Sequence, residues 1–541
     1  MSAASLLRTV CTTGRPAICL LGAIVLFAAI AAPSQAFAHA ALVTTEPTDG
    51  TVLEQSPAQL SLTFSEPVSP LVLTLVRPDG TAIPLTSFRL NGQTVEIDNP
   101  QALGSGTHVL SWRVISADGH PVGGSVLFSI GAPSAAPAVS EAVDRGLRSA
   151  IWIGKVFLYV GLFLGVGGAF AIAWLAQGGR SGQRFVIAAI LCGLVAAPLS
   201  LGFQGLDALG VPFARLAQPG VWQAGLGTSF GWTVLVALVA LGLGLLSLVG
   251  PRGGAKLFAL AGLAGVGAAL AASGHASAAE PQWLTRPMVF LHGSGIALWA
   301  GALAPLGLAM RRKPVEAAPF LRRFSQAILP VVAVLATTGI MLAVVQVQAP
   351  AALLETAYGR LLLVKLALLF FLFTVAATNR WKLTGPAEAG ETEAQRRLFR
   401  SIGIEMLIVL AIFGVAAGWR FTPPPRALAI AAAQPASVHI HTPKAMADLS
   451  ITPGHVGPVA ASIVIMTGDF GPLDANQVTL VLSKPDSGIE PIKRAATKRD
   501  DGTWRIDGLV IPVPGRWAAR LDILVSDFEI VKIEAPIDIR R

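Results

Sequence analysis

The chain has 541 residues, 53% of them hydrophobic and only 13% charged. Soluble globular proteins carry about a quarter charged residues, so this composition excludes one and indicates an integral membrane protein with polar appendages. The formal net charge is +9, but most Lys and Arg fall in short loops between apolar stretches, where they orient spans rather than bind nucleic acid.

The N-terminus reads as a secretory signal at 1–38. Arg8 and Arg15 precede an apolar stretch, Ile18 to Ala32, and Ala36-Phe37-Ala38 is a small-x-small cleavage site. Cleavage after Ala38 would leave His39 first in the mature chain. Its free α-amine and imidazole Nδ1 could then chelate one metal ion together, which an internal His cannot do. Of the three cysteines, Cys11 and Cys19 would leave with the signal, and Cys192 would remain as a lone packing residue without a disulfide partner.

Residues 39–131 read as a β-sandwich. Leu60–Phe64, Leu71–Arg77, Thr94–Ile97, His108–Ile115 and Gly124–Ile130 alternate between turn signals such as Asp79-Gly80 and Asn91-Gly92. Ser116-Ala117-Asp118-Gly119-His120 brings a carboxylate and a second imidazole together across a Gly that permits a tight turn. Alone, Asp-Gly-His is a hairpin turn with a surface His. With His39 it supplies an amine, two imidazoles and a carboxylate, a set suited to Cu(II) in tetragonal geometry. No Met lies between His39 and Ile130, so the domain lacks the thioethers of a Cu(I) site. His108 belongs to no motif and reads as a strand residue.

After a linker at 132–148, eight apolar segments follow in a membrane domain at 149–422, each near the ~20 residues that span a bilayer. They run at about 149–175, 185–206, 229–249, 256–273, 287–309, 325–347, 359–379 and 402–420. With the first domain exported, the first span runs outside to inside. The inner loops then carry Arg180, Arg184, Arg252, Lys256, Arg311, Arg312, Lys313, Arg322, Arg323, Arg380, Lys382, Arg396, Arg397 and Arg400. The outer loops carry Arg215, Arg286 and Arg360. Fourteen against three satisfies the positive-inside rule, and an even span count returns the C-terminus to the outside.

Polar groups within spans are costly unless used or paired. Met288 and His292 stand four residues apart on the fifth span and share a helix face, which makes them candidate Cu(I) ligands. His275, at the outer end of the fourth span, is a candidate first ligand on the path inward. The bland readings are an interhelical hydrogen bond for His292 and core filling for Met288. Lys155, Lys365 and Glu405 read as snorkelling or structurally paired, and Trp299 as packing or an interfacial anchor. Met406 ranks below the histidines.

Beyond a linker at 423–436, residues 437–541 alternate again at Val459–Met466, Val478–Ser483, Thr503–Leu509 and Arg516–Val525. They form a second, sandwich-like β-domain. His439 and His441 are a weak transient copper site there, since two His at spacing two also fit an exposed linker.

Several stretches carry a family resemblance. HAALVTTEPTDGTVL at the mature start, LSLTFSEPV at 60–68 and LSWRVISADGHPVGGSVLFSIG at 110–131 resemble the periplasmic copper-binding protein CopC. FLHGSGIALWAGAL at 290–303, Tyr358-Gly359-Arg360 through Lys365, and Ile404-Glu405-Met406 resemble the membrane protein CopD. The C-terminal region is similar to small YtkA-like β-domains. Together these resemble YcnJ-like CopC–CopD fusion proteins of copper transport and resistance. The resemblance implies Cu(II) ligation by His39, Asp118 and His120, with Glu66, which matches an acidic residue near the metal in some family members, as a further candidate ligand or supporting group. It implies copper uptake across the cytoplasmic membrane, with both β-domains on the periplasmic side and periplasmic copper chaperones as candidate partners. No phosphate-binding loop or pumping-ATPase motif is visible, so a gradient, the membrane potential or metal sequestration would drive transport. A second reading is a periplasmic sequestration and resistance protein anchored by the bundle, although an anchor needs only one span. A third is a copper oxidase-type enzyme with a histidine brace. Asp118 would occupy coordination space there and disfavour oxygen activation, so the expectation is a non-enzyme.

Overall fold

The computed structural model describes residues 42–541 apart from 48–49, 65–66, 100–102, 117–120, 135–144, 177–178, 252, 313, 434, 443, 469–470, 485–486, 527 and 541. The signal region, His39, Glu66, Asp118 and His120 therefore lie outside the described residues.

The N-terminal domain is a two-sheet β-sandwich. One sheet has the order β1 (Leu42–Glu46), β3 (Gln59–Phe64), β7 (Thr94–Asp98), β6 (Phe88–Asn91). The other runs β2 (Thr51–Leu53), β9 (Pro121–Ile130), β8 (Gly106–Ile115), β4 (Ser69–Val76), β5 (Ala82–Pro84). Alternation along β3 buries Leu60, Leu62 and Phe64, and β7 answers with Val95 and Ile97 in register. Phe64 meets Trp112 of the facing sheet edge-on, with ring centroids 5.1 Å apart. Trp112 lies over Gly124, where a methyl group would come within 2.6 Å of the indole. That close approach accounts for the Gly pair at the start of β9.

His108 is a core residue of β8. It is fully buried, its ring stacks on Phe128, and Nδ1 lies 3.1 Å from the Gly106 carbonyl. Nδ1 therefore carries the proton, while Nε2 has no hydrogen-bond partner among the described residues. Burial holds its pKa below the usual histidine value.

The C-terminal domain is also two-sheeted, with nine strands among the described residues. One sheet has the order β10 (Ala436–His441), β11 (Ala445–Thr452), β12 (Gly457–Thr467), β16 (Trp504–Ile511), β15 (Thr497–Lys498). The second runs β14 (Ile489–Ala495), β13 (Gln477–Lys484), β17 (Gly515–Ser526), β18 (Glu529–Ile539). Trp517 is the largest fully buried side chain and donates its indole N–H to the Val513 carbonyl at 3.1 Å.

Among the described residues, seven helices are long and apolar enough to cross a bilayer. They are α1 (Arg145–Trp174), α2 (Gln183–Leu209), α3 (Ser229–Val249), α5 (Gln282–Arg312), α6 (Pro314–Val347), α7 (Ala357–Thr378) and α8 (Thr392–Gly418). The eighth expected span is present as α4 (Ala255–Ala271), but it has 17 residues where 256–273 was expected to cross in full. At 1.5 Å per residue it reaches about 26 Å, just under the hydrocarbon thickness. The chain is already helical at Arg145, ahead of the expected 149. A short helix, Pro425–Ala433, occupies most of the expected 423–436 linker.

Small residues let these helices approach closely. A methyl on Gly161 or Gly193 would overlap the backbone of the other, and Gly301 abuts Gly167 in the same way. Cys192 is a half-buried free thiol on α2. Helices α6 and α7 leave most of their apolar surface uncovered, including Ile340, Val344, Phe370 and Phe371, as lipid-facing helices do.

The buried neutral imidazole makes the first domain acid-sensitive. Because the folded state holds the proton less tightly than the unfolded chain, stability is complete above about pH 6.5 and falls as pH drops below it. The loss is at most about 1.4 kcal/mol per pH unit for one group. Hydrogen-exchange protection of β8 in the intact protein should fall between pH 7 and 5, and His108→Phe should remove most of that slope.

Candidate functional site

Three features bear on function, beginning with one end of the N-terminal sandwich. Leu42 pairs with Phe64, so the chain enters β1 beside the point where it leaves β3. His39 lies three residues before the first of these and Glu66 two residues after the second. Phe64 in turn packs on Trp112, three residues before β8 ends at Ile115. The chain segment holding Asp118 and His120 joins β8 to β9 from there. The described strands thus bring the chain ends flanking His39, Glu66, Asp118 and His120 to one end of the sandwich.

The second feature is an oriented imidazole inside the helical unit. His292 lies on α5, ten residues and about 15 Å from the helix start. Its Nδ1 is 3.0 Å from Thr338 Oγ1 on α6. Thr338 is buried, and the same Oγ1 lies 2.7 Å from the Val334 carbonyl. A carbonyl only accepts and a hydroxyl has one proton, so Thr338 donates to Val334 and accepts from His292 Nδ1–H. That relay fixes the tautomer and leaves Nε2 with its lone pair, the state in which an imidazole ligates metal. Gly339 makes room for the ring, since a methyl there would stand 3.2 Å from Cε1. Met288 sits half-buried one turn before His292 on the same helix. The backbone of His275, in the loop after α4, is held by the buried Gln346 at the end of α6, whose Nε2 donates to the His275 carbonyl at 2.8 Å. Among the described residues no three His, Cys, Asp or Glu side chains gather into a metal-binding group. A metal site in the bundle would thus rest on fewer such ligands, with Met288 as the available thioether.

The remaining intramembrane charges separate by partner. Lys365 lies over the Trp419 ring, 4.9 Å from its centroid. Glu405 is buried and accepts from Asn379 Nδ2 at 2.9 Å, beside a small cavity that Ser325 and Arg380 also line. Trp299 is a packing residue, stacked on Phe373 with centroids 5.5 Å apart. Met406 packs partly buried against the helical core.

The third feature is the weak C-terminal pair. His439 Nδ1 lies 2.7 Å from Asp448 Oδ1 across the β10–β11 ladder, and the backbone of His441 pairs with Met446. His439 is thus engaged by a neighbouring carboxylate. His455 Nδ1 lies 2.6 Å from the Val456 carbonyl.

Comparison with known families matches residues 42–131 to the CopC domain, 144–285 to the copper resistance protein D-like N-terminal domain, and 318–419 to copper resistance protein D. Copper resistance protein C of Xanthomonas campestris pv. juglandis is 33% identical over 20% of this chain and 91% of its own length. The chain is a CopC–CopD fusion. The whole fusion is similar to the copper transport protein CutJ of Bacillus subtilis (strain 168), at 26% identity over 93% of this chain and 96% of CutJ. Its membrane part is similar to the inner membrane protein YebZ of Escherichia coli (strain K12), at 29% identity over 48% of this chain and 96% of YebZ. The fusion is a multi-pass membrane protein, with one β-domain before and one after the helical region in sequence. Helix α5, with Met288 and His292, falls between the two matched membrane segments.

Sequence reading picked out His292 but not Thr338, which stands 46 residues away on another helix. Histidine-labelled fusion protein should show the His292 imidazole, assigned by its loss in His292→Ala, as the Nδ1–H tautomer in 15N spectra. Thr338→Val should abolish that preference while leaving the helices intact.

Proposed function

We propose that this CopC–CopD fusion imports copper across the cytoplasmic membrane, with both β-domains outside. Cu(II) is captured at the end of the N-terminal sandwich by the His39 amine and imidazole, Asp118 and His120, with Glu66 beside them. The convergence of the flanking strand ends supports that assembly. Copper then passes to the helical unit, where the His292 Nε2 receives it next to Met288. Cu(I) is the state suited to the thioether, so a one-electron reductant outside the membrane, separate from this chain, must reduce the captured Cu(II) before the transfer.

The observation that carries this reading is the His292–Thr338–Val334 relay. The relay leaves a lone-pair nitrogen inside a span one helical turn from Met288, an imidazole and thioether set that suits a soft metal ion. The full-length similarity to CutJ, named a copper transport protein, agrees with it. Direction has its own physical support. The basic residues cluster on the side assigned to the cytoplasm, and a membrane potential negative inside draws a cation that way. Each unit charge gains about 2.3 kcal/mol per 100 mV, so inward movement needs no nucleotide site.

Copper accumulation in cells lacking the protein tests the reading. Wild type should restore accumulation. His39→Ala, with signal cleavage confirmed, and His292→Ala should leave it near the level of the deletion. Higher accumulation in the deletion strain than in wild type would instead indicate sequestration or export.

A further inference from the structure

A different cavity in the helical unit has the wrong charge for a metal cation. It lies at the end of the bundle where α1 begins and α2 and α4 finish, and encloses about 50 Å³. Lys155 of α1, Ser200 and Gln204 of α2, Ser273 after α4 and Arg420 after α8 line it. Arg420 is neutralised, with Nη2 2.6 Å from Asp207 Oδ2 and 3.4 Å from Gln204 Oε1. Lys155 has no hydrogen-bond or ion-pair partner among the described residues, although it sits ten residues, about 15 Å, into a membrane span. Ser200 is 94% buried, and its hydroxyl also has no partner there.

The chemistry of this lining is one-sided. Among the described residues no carboxylate lines it, Asp207 is paired with Arg420, and the Gln204 oxygen is turned to Arg420. What remains is an ammonium with three N–H donors, the outward N–H groups of Arg420 and the Ser200 hydroxyl. An unpaired cation in a low-dielectric bundle costs several kcal/mol. The ligand that removes this cost is an acceptor with a single negative charge. At about 50 Å³ the cavity is roughly a third of one that admits benzene, about 150 Å³, so a small ligand is the one that fits.

We propose that this cavity is a binding site for a small monovalent anion, a halide or a carboxylate the size of formate, held by Lys155, Ser200 and Arg420. Anion binding stands whether or not the copper-import reading is right. Where that reading holds, the anion screens Lys155 and Arg420 from a copper ion moving inward.

Purified full-length protein in nanodiscs, prepared in gluconate, can be titrated with chloride while the 35Cl linewidth is followed, with formate as competitor. Saturable chloride broadening is expected. Lys155→Gln should weaken it at least ten-fold, Ser200→Ala a few-fold, and Lys155→Arg little. Formate binding without chloride binding, read by competition against labelled formate, would assign the carboxylate and keep the proposal. Absence of saturable binding for both anions in the wild-type protein would overturn it. So would binding that is unchanged in Ser200→Ala and in folded Lys155→Gln.

Discussion

A polar group placed in hydrocarbon must find a partner inside the protein, and that constraint organises the membrane half of this molecule. His292 meets Thr338, Glu405 meets Asn379, Arg420 meets Asp207, and Lys365 meets the Trp419 ring. The His292–Thr338 and Glu405–Asn379 pairs tie consecutive helical segments together, and the Arg420–Asp207 pair joins segments distant in sequence. Elsewhere in the bundle Gly161, Gly193, Gly167 and Gly301 let helix backbones approach closely. The groups left over then carry most information about ligands: the Nε2 of His292 and the donors of Lys155 and Ser200.

The two halves handle their histidines in opposite ways. His108 is buried in the sandwich core, stacked and neutral, and its free nitrogen faces packing. His292 has the same tautomer, imposed by a hydroxyl instead of a carbonyl, but lies half-buried between helices where a ligand can approach. His439 is bonded to a carboxylate on an exposed strand face. One residue type thus serves structure, ligation and surface pairing according to what its Nδ1 contacts. A sequence motif alone does not separate these roles.

Much of the architecture was legible beforehand, for physical reasons. Period-two alternation marked β3, β7, β8, β12 and β17 to within a residue or two, because one face of each strand is dry. Long apolar runs marked the spans because hydrocarbon thickness sets their length. The short reach of α4 was harder to read, since Ala272 and Ser273 follow its last residue, Ala271, with no helix-breaking residue before Gly274. The partners of polar groups were not legible at all. Thr338 to His292, Asp207 to Arg420 and Asn379 to Glu405 are separated by 46, 213 and 26 residues, and no local pattern encodes them. For the N-terminal copper ligands, residue identities came from sequence. The strand register adds that their chain neighbours share one end of the sandwich.

The central claim is that copper crosses through the bundle by way of His292. The direct test is Cu(I) uptake into vesicles reconstituted with the purified protein, under an inside-negative potential. Wild type should accumulate copper, and His292→Ala should fall to the level of protein-free vesicles while its N-terminal domain still binds Cu(II) as wild type does. Undiminished uptake by folded His292→Ala would contradict the account and return His292 to a purely structural role.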